Sequence, residues 1–242
     1  MEKYRLALVE ELASKGNREA IIKMARFYSG EPKIPAPKAK KIVNYLFELA
    51  KNDDTDAMIL LGGLYYVGGS CIVKQNYKEA VKWYEKAAGK LDERGLCFLG
   101  YCYYYGRDMD IDYEKAYSCF SQSAFLGYSN GMFKLGDMYY FGKYVEENKE
   151  AAFFWYQEAF YCTEDDYDRA SAKFRLGKCY LYGHGTEPNL KYALEVLQSS
   201  EEIFFELVEK GDNFSKITLK QVRKEIDTAR NLLYDLHTIE KQ

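Results

Sequence analysis

The sequence predicts an all-α fold: a solenoid of about five stacked helix-turn-helix repeats, closed by a C-terminal capping helix. One observation is a recurring block of a small residue, Leu-Gly, Tyr and Gly. It reads Leu61-Gly62, Tyr65, Gly68, then Leu99-Gly100, Tyr103, Gly106. It returns as Leu135-Gly136, Tyr139, Gly142 and as Leu176-Gly177, Tyr180, Gly183. The Leu-Gly pairs are 38, 36 and 41 residues apart, a period that marks a repeat architecture. A second observation is that Asn76, Asp112, Asn148 and Asn189 each stand four residues before an alanine. The third is apolar spacing of three and four residues after both signals, the period of a helix face.

Counting from the Leu-Gly glycine, a small residue sits five before it (Ala57, Gly95, Gly131, Ala172), Leu one before it and Tyr three after it. These offsets share one helix face, so the stripe is the buried side of a first helix. A mid-helix glycine costs about 1 kcal/mol against alanine. Its recurrence points to close approach of a partner helix. The glycine six further on falls where the helix ends and suits a left-handed cap. Asn and Asp are strong N-cap residues, so they start the second helix. Asn76 and Glu79 approximate a capping box. Ala80, Trp83, Tyr84, Ala87 and Ala88 then form its apolar face, and Ala152, Trp155, Tyr156 and Ala159 repeat the phase.

The ends are weaker copies. Ala20, Met24, Ala25 and Tyr28 imitate a first helix, and Ile42, Tyr45, Leu46 and Leu49 a second. Pro32, Pro35 and Pro37 between them argue against a helix there. The stretch Cys162 to Asp168 reads as an exposed acidic linker that lengthens one spacing to 41. From Lys216 to about Glu240, Ile217, Val222, Ile226, Ala229, Leu233 and Leu236 outline a capping helix that covers the last apolar face. The expected organisation is a solenoid over 1–202, with repeats near 16–53, 54–89, 91–127, 128–161 and 168–202, and capping helices over 203–242.

Composition narrows the function classes. The 242 residues are 48% hydrophobic and 29% charged, with net charge −3, which fits a globular chain and gives no reason to expect nucleic acid or a membrane as partner. The start lacks the apolar core of a signal peptide and no run is long enough to span a bilayer. The expectation is a cytoplasmic protein. Cysteines 71, 97, 102, 119, 162 and 179 form no Cys-x-x-Cys pair and histidines number two, so neither a metal nor a cofactor is expected. The cysteines read as small apolar packing residues. Runs among the 24 tyrosines look like stacking platforms for single-stranded nucleic acid, but such platforms come with a positive groove and this chain is acidic overall; they read as repeat packing. No catalytic motif is present: His184 sits in a Gly-His-Gly turn and His237 in the terminal helix. The expected protein is not an enzyme.

Small-x-x-x-Leu-Gly-x-x-Tyr-x-x-Gly, followed by Asp/Asn-x-x-x-Ala-x-x-Trp-Tyr-x-x-Ala-Ala, resembles the Sel-one-like repeat family, a branch of the tetratricopeptide-like α-solenoids. The clearest copies are Ala57 to Ala88 and Gly131 to Ala159, and the resemblance covers roughly residues 16–202. The family often has Gly-x-Gly-Val after the first helix. Here only Gly183-His184-Gly185 keeps both glycines, and Gly142 with Val145 keeps the valine. The resemblance implies a right-handed α/α superhelix and a protein-binding scaffold or adaptor, often bacterial. Two other functions stay open: an inhibitor, immunity or effector protein acting on a foreign or host protein, and a hydrolase like the cysteine-rich branch. That branch pairs cysteines eight positions apart, and no two here have that spacing.

Positions −2, +1 and +5 lie opposite the buried stripe. They are Leu60, Gly63 and Val67; Phe98, Tyr101 and Tyr105; Lys134, Asp137 and Phe141; and Arg175, Lys178 and Tyr182. In tetratricopeptide-like solenoids the first helices line the concave groove, which implies a partner-binding strip here. A peptide with an apolar anchor and an acidic end suits it. The competing reading is that these residues are partly solvated packing. On the binding reading, charge reversal at Lys134, Arg175 and Lys178 weakens partner capture without lowering the melting temperature.

Overall fold

A computed structural model describes residues 2–29, 35–68 and 73–239. Among them are twelve α-helices and no strand. The chain divides into two compact units, 1–119 and 120–242, taken in turn.

The first unit holds α1 (Glu2–Ser14), α2 (Arg18–Ser29), α3 (Ala36–Lys51), α4 (Thr55–Val67), α5 (Tyr77–Ala88) and α6 (Glu93–Tyr105); α7 (Tyr113–Phe125) runs through the division. Helix α1 precedes the first expected repeat and packs on α2, with Ala13 fully buried. Ile42, Leu46 and Leu61 are also fully buried in this core. Each such side chain contributes about 1.5–3 kcal/mol by leaving water. The prolines do not exclude a helix. Pro35 is the N-cap of α3 and Pro37 lies in its first turn, where the absent N–H has no intrahelical partner to lose. Pro32 lies outside the described residues.

The second unit holds α8 (Ser129–Phe141), α9 (Lys149–Tyr161), α10 (Asp166–Tyr182), α11 (Leu190–Glu209) and α12 (Ser215–Ile239). Of the stretch read as a linker, residues 162–165 lie between α9 and α10, and 166–168 open α10. Asp165 caps α10 by accepting from the Asp168 N–H at 3.0 Å, and Asp166 and Asp168 sit in its first turn. Glu164, Asp165 and Asp166 are exposed, whereas Asp168 is half-buried and accepts from Ser129 Oγ at 3.0 Å and Asn130 Nδ2 at 2.7 Å. Helix α11 runs past position 202 without a break. Helix α12 packs on α11 and buries Leu219, Val222, Ile226 and Ala229. Ile217 and Leu236, expected on that buried stripe, are exposed; Ile217 stands off the face that Leu219 and Val222 define, whereas Leu236 keeps the phase of Val222 and Ala229.

Within a repeat, the two helices satisfy each other's terminal groups. The Asn76 N–H donates to the Tyr65 carbonyl at 2.8 Å, Asp112 to Tyr103 at 3.0 Å, Asn148 to Tyr139 at 3.0 Å and Asn189 to Tyr180 at 2.8 Å. The donor starts the second helix and the acceptor lies near the end of the first, both among the groups a helix leaves unpaired. The side chains of the same four residues cap α5, α7, α9 and α11. Because the Asn76 N–H is already taken by Tyr65, the capping box is half-formed, and the Glu79 carboxylate instead pairs with Lys82 at 2.6 Å.

The Leu-Gly glycines are sites of close approach. A Cβ on Gly62 would fall 2.3 Å from the Tyr84 ring, on Gly136 2.8 Å from the Tyr156 ring, and on Gly177 2.6 Å from Leu197 Cγ. Gly106, Gly142 and Gly183 cap their helices in the left-handed region; Gly68 also has positive φ but ψ of 172°. No helix among the described residues is long and apolar enough to cross a membrane.

Candidate functional site

The positions opposite the buried stripe are placed by α4, α6, α8 and α10. In the first unit, Leu60, Phe98 and Tyr101 are half-buried, while Val67 and Tyr105 are 62% and 46% exposed. Phe98 leans on Tyr84, with ring centroids 5.3 Å apart. Tyr101 and Tyr105 stack at 6.1 Å with 15° between their planes, as expected for side chains four residues apart on one helix. The Arg107 guanidinium sits 5.8 Å from the Tyr105 ring and 4.9 Å from Tyr77.

In the second unit the same positions split into two kinds. Phe141 and Tyr182 are 47% and 43% exposed. Asp137, expected on the open face, is buried at 5%. Its carboxylate accepts from the Tyr156 hydroxyl at 2.9 Å, Arg175 Nε at 3.0 Å and Lys134 Nζ at 3.2 Å. Burial pushes the Asp137 carboxyl up, but the Arg175 and Lys134 cations and the Tyr156 hydroxyl outweigh it and hold it below the ordinary carboxylate value. Burial and Asp137 together push the Tyr156 hydroxyl well up. Arg175 also lies 5.6 Å from the Phe141 ring. Lys134 and Arg175 are therefore the counter-charges of a buried acid, which a chain already folded cannot release at little cost.

Lys178 and Tyr182 meet α12. Lys178 Nζ is 3.6 Å from Glu225 Oε1, and the Tyr182 hydroxyl donates to Glu225 Oε2 at 2.5 Å. Burial first, then the Glu225 hydrogen bond, lifts the Tyr182 hydroxyl to about 12. No sequence signal marks Glu225, since α12 carries no Leu-Gly reference from which to count a face. His184 follows the α10 cap glycine and its Nδ1 is 2.7 Å from the Tyr140 hydroxyl. Burial, then Lys149 and Lys178, push its pKa down, so it is a neutral bridge between neighbouring repeats at pH 7.

No group of three or more His, Cys, Asp or Glu side chains able to hold a metal occurs among the described residues. Cys97, Cys102, Cys119 and Cys179 are buried free thiols and Cys162 is an exposed one; Cys71 lies outside the described residues. Burial raises Cys102 and Cys179 to about 12 and Cys119 to about 11, far from the thiolate a nucleophile needs.

Comparison with known proteins fits this geometry. The Sel1 repeat matches residues 55–90, 94–128, 129–162 and 170–198, more than half of the chain. A Sel1 repeat protein from Oxalobacter formigenes superposes with a TM-score of 0.65 at 24% identity, over 90% of this chain and 59% of that one. A protective antigen of uropathogenic Escherichia coli with an SLR fold gives 0.63 at 22%, over 90% and 51%. Among curated proteins, the chitin synthase regulator SKT5 of Saccharomyces cerevisiae is 26% identical over 123 residues, 51% of this chain but only 18% of SKT5. The chain thus spans less than two thirds of each of these relatives. Four matched repeats, each with the cap-to-carbonyl bond described above and three with the glycine contact, place the chain in the Sel1 repeat family.

Proposed function

We propose that the chain is a non-enzymatic scaffold that holds a protein or peptide partner on the exposed faces of its first helices. Sel1 repeat proteins are in general protein-interaction scaffolds. The observation that supports this face is at position +5. Val67, Tyr105, Phe141 and Tyr182 each close a first helix and each keep 43% to 62% of their surface exposed. Exposed tyrosine and phenylalanine recurring at one register position are the kind of anchors that dominate interface energies. The yeast relative is by name a regulator of an enzyme, a role that holding a partner would fulfil.

The structure changes which residues to test. Charge reversal at Lys134 or Arg175 strikes the buried Asp137 and so lowers stability. Apolar truncation at Tyr105, Phe141 and Tyr182 leaves that network intact. In pull-downs from source-cell lysate, the triple alanine variant loses a partner that the wild type captures, while its melting temperature stays within a few degrees. Equal capture by both would move the binding face away from the first helices.

A further inference from the structure

A groove of about 230 Å³ lies within the second unit, lined by α9, α10 and α11. Its walls include Phe160, Leu176, Tyr180 and Tyr192, the side chain of Lys173 enters it, and the exposed Glu195 stands at its edge on α11. Lys173 is out of place by the logic of the repeat. It stands four residues before the Leu-Gly glycine, where the other repeats have Met58, Leu96 and Met132, all at most 6% exposed. One repeat has replaced a core side chain by a cation.

That cation is poorly compensated. Its Nζ donates to Ser199 Oγ at 2.5 Å and lies 5.7 Å from the Phe160 ring centroid. Among the described residues no carboxylate lies within ion-pair distance of it, though Glu202 acts on it from farther away and favours its charged form. An ammonium has three N–H donors, and burial, then Arg169, lowers its pKa. Lys173 is half-buried, so its desolvation is partial, and an anion in the groove would supply the ion-pair partner it lacks. Ser199 sits inside α11, whose amides are committed to the helix, so the Lys-Ser pair has no oxyanion donors beside it and reads as a binding group. The groove is smaller than the ~300–1,000 Å³ of drug-sized pockets, which limits the occupant to a compact molecule.

We propose that this groove binds a small organic monocarboxylate, its carboxylate on the Lys173 ammonium and its apolar body against Phe160, Leu176 and Tyr180. The site is separate from the first-helix face, because Lys173 precedes Arg175 by two residues and so lies on the opposite side of α10.

The test is calorimetric titration of the full chain with phenylacetate and with its uncharged analogue phenylacetamide. Lys173→Met supplies the control, since methionine stands at this position in two sister repeats and preserves the fold; its melting temperature should equal or exceed that of wild type. Phenylacetate binds wild type, and binds Lys173→Met at least tenfold more weakly; phenylacetamide is at least tenfold weaker on wild type. A loss of less than tenfold in either comparison overturns the proposal, as does the absence of phenylacetate binding. Binding of an acidic peptide alone would overturn it in favour of a protein ligand.

Discussion

Replacing Gly62 by alanine sets two effects of opposite sign against each other. Alanine gains about 1 kcal/mol of helix propensity over glycine, so at an open position the change would stabilise. Here the new Cβ would lie 2.3, 2.7 and 2.9 Å from three atoms of the Tyr84 ring, where carbon atoms in contact prefer about 3.5–4.0 Å. Tyr84 is 3% exposed and is flanked by Phe98 and Tyr66, with centroids 5.3 and 6.5 Å away, so the ring has little room to retreat. Overpacking of this kind costs about 1–3 kcal/mol, and the overlap of more than 1 Å argues for the upper part of that range. The net expectation is a loss of about 1–2 kcal/mol, read as a lower urea midpoint at unchanged slope. A double-mutant cycle isolates the contact. In the Tyr84→Ala background the methyl group enters vacated space, so Gly62→Ala becomes neutral or stabilising and the coupling reaches at least about 1 kcal/mol. If Gly62→Ala stabilises the wild-type background, or if the two changes add, the close-approach account of the Leu-Gly glycine is wrong.

Two further outcomes follow from the buried groups. Asp137→Asn leaves Arg175 and Lys134 without their counter-charge and should cost about 3–5 kcal/mol at pH 7. Because the folded carboxyl titrates below its unfolded value, its contribution is full above about pH 4 and is lost as pH falls through the folded pKa; the gap between variant and wild type in urea midpoints must therefore shrink as pH falls below about 4, and a gap independent of pH would contradict the network. Of the five described thiols, Cys162 alone should label rapidly with a disulfide reagent at pH 8 in the native protein, with Cys97, Cys102, Cys119 and Cys179 protected until unfolding; peptide mapping of the labelled protein decides it.

What was legible in the sequence was whatever each repeat carries within itself. The mid-helix glycine, the N-cap asparagine and the cap glycine are local rules, and Gly136 opposite Tyr156 or Asn148 capping α9 needs no knowledge of neighbouring repeats. What one repeat does to the next was not legible. Lys134 and Asp137 fall on an amphipathic face and read as open. Their burial comes from Arg175, 38 residues after Asp137, and from Tyr156 on α9. Glu225 reaches Lys178 and Tyr182 from a helix without the repeat motif. Helix ends were misjudged where one residue type serves two roles. Proline stops a helix in its interior but starts one at Pro35 and Pro37, and the acidic stretch reads wholly as loop although only Glu164 and Asp165 precede α10, with Asp166 and Asp168 in its first turn.

The most direct test of the scaffold reading is site-specific photo-crosslinking. A benzoylphenylalanine placed in turn at Phe141, at Tyr182 and at Phe154 samples two first helices and one second helix at similar exposure, 47%, 43% and 50%. The account predicts one polypeptide crosslinked from both 141 and 182 in source-cell lysate, and none from 154. A partner crosslinked from 154 but from neither first-helix position would contradict it.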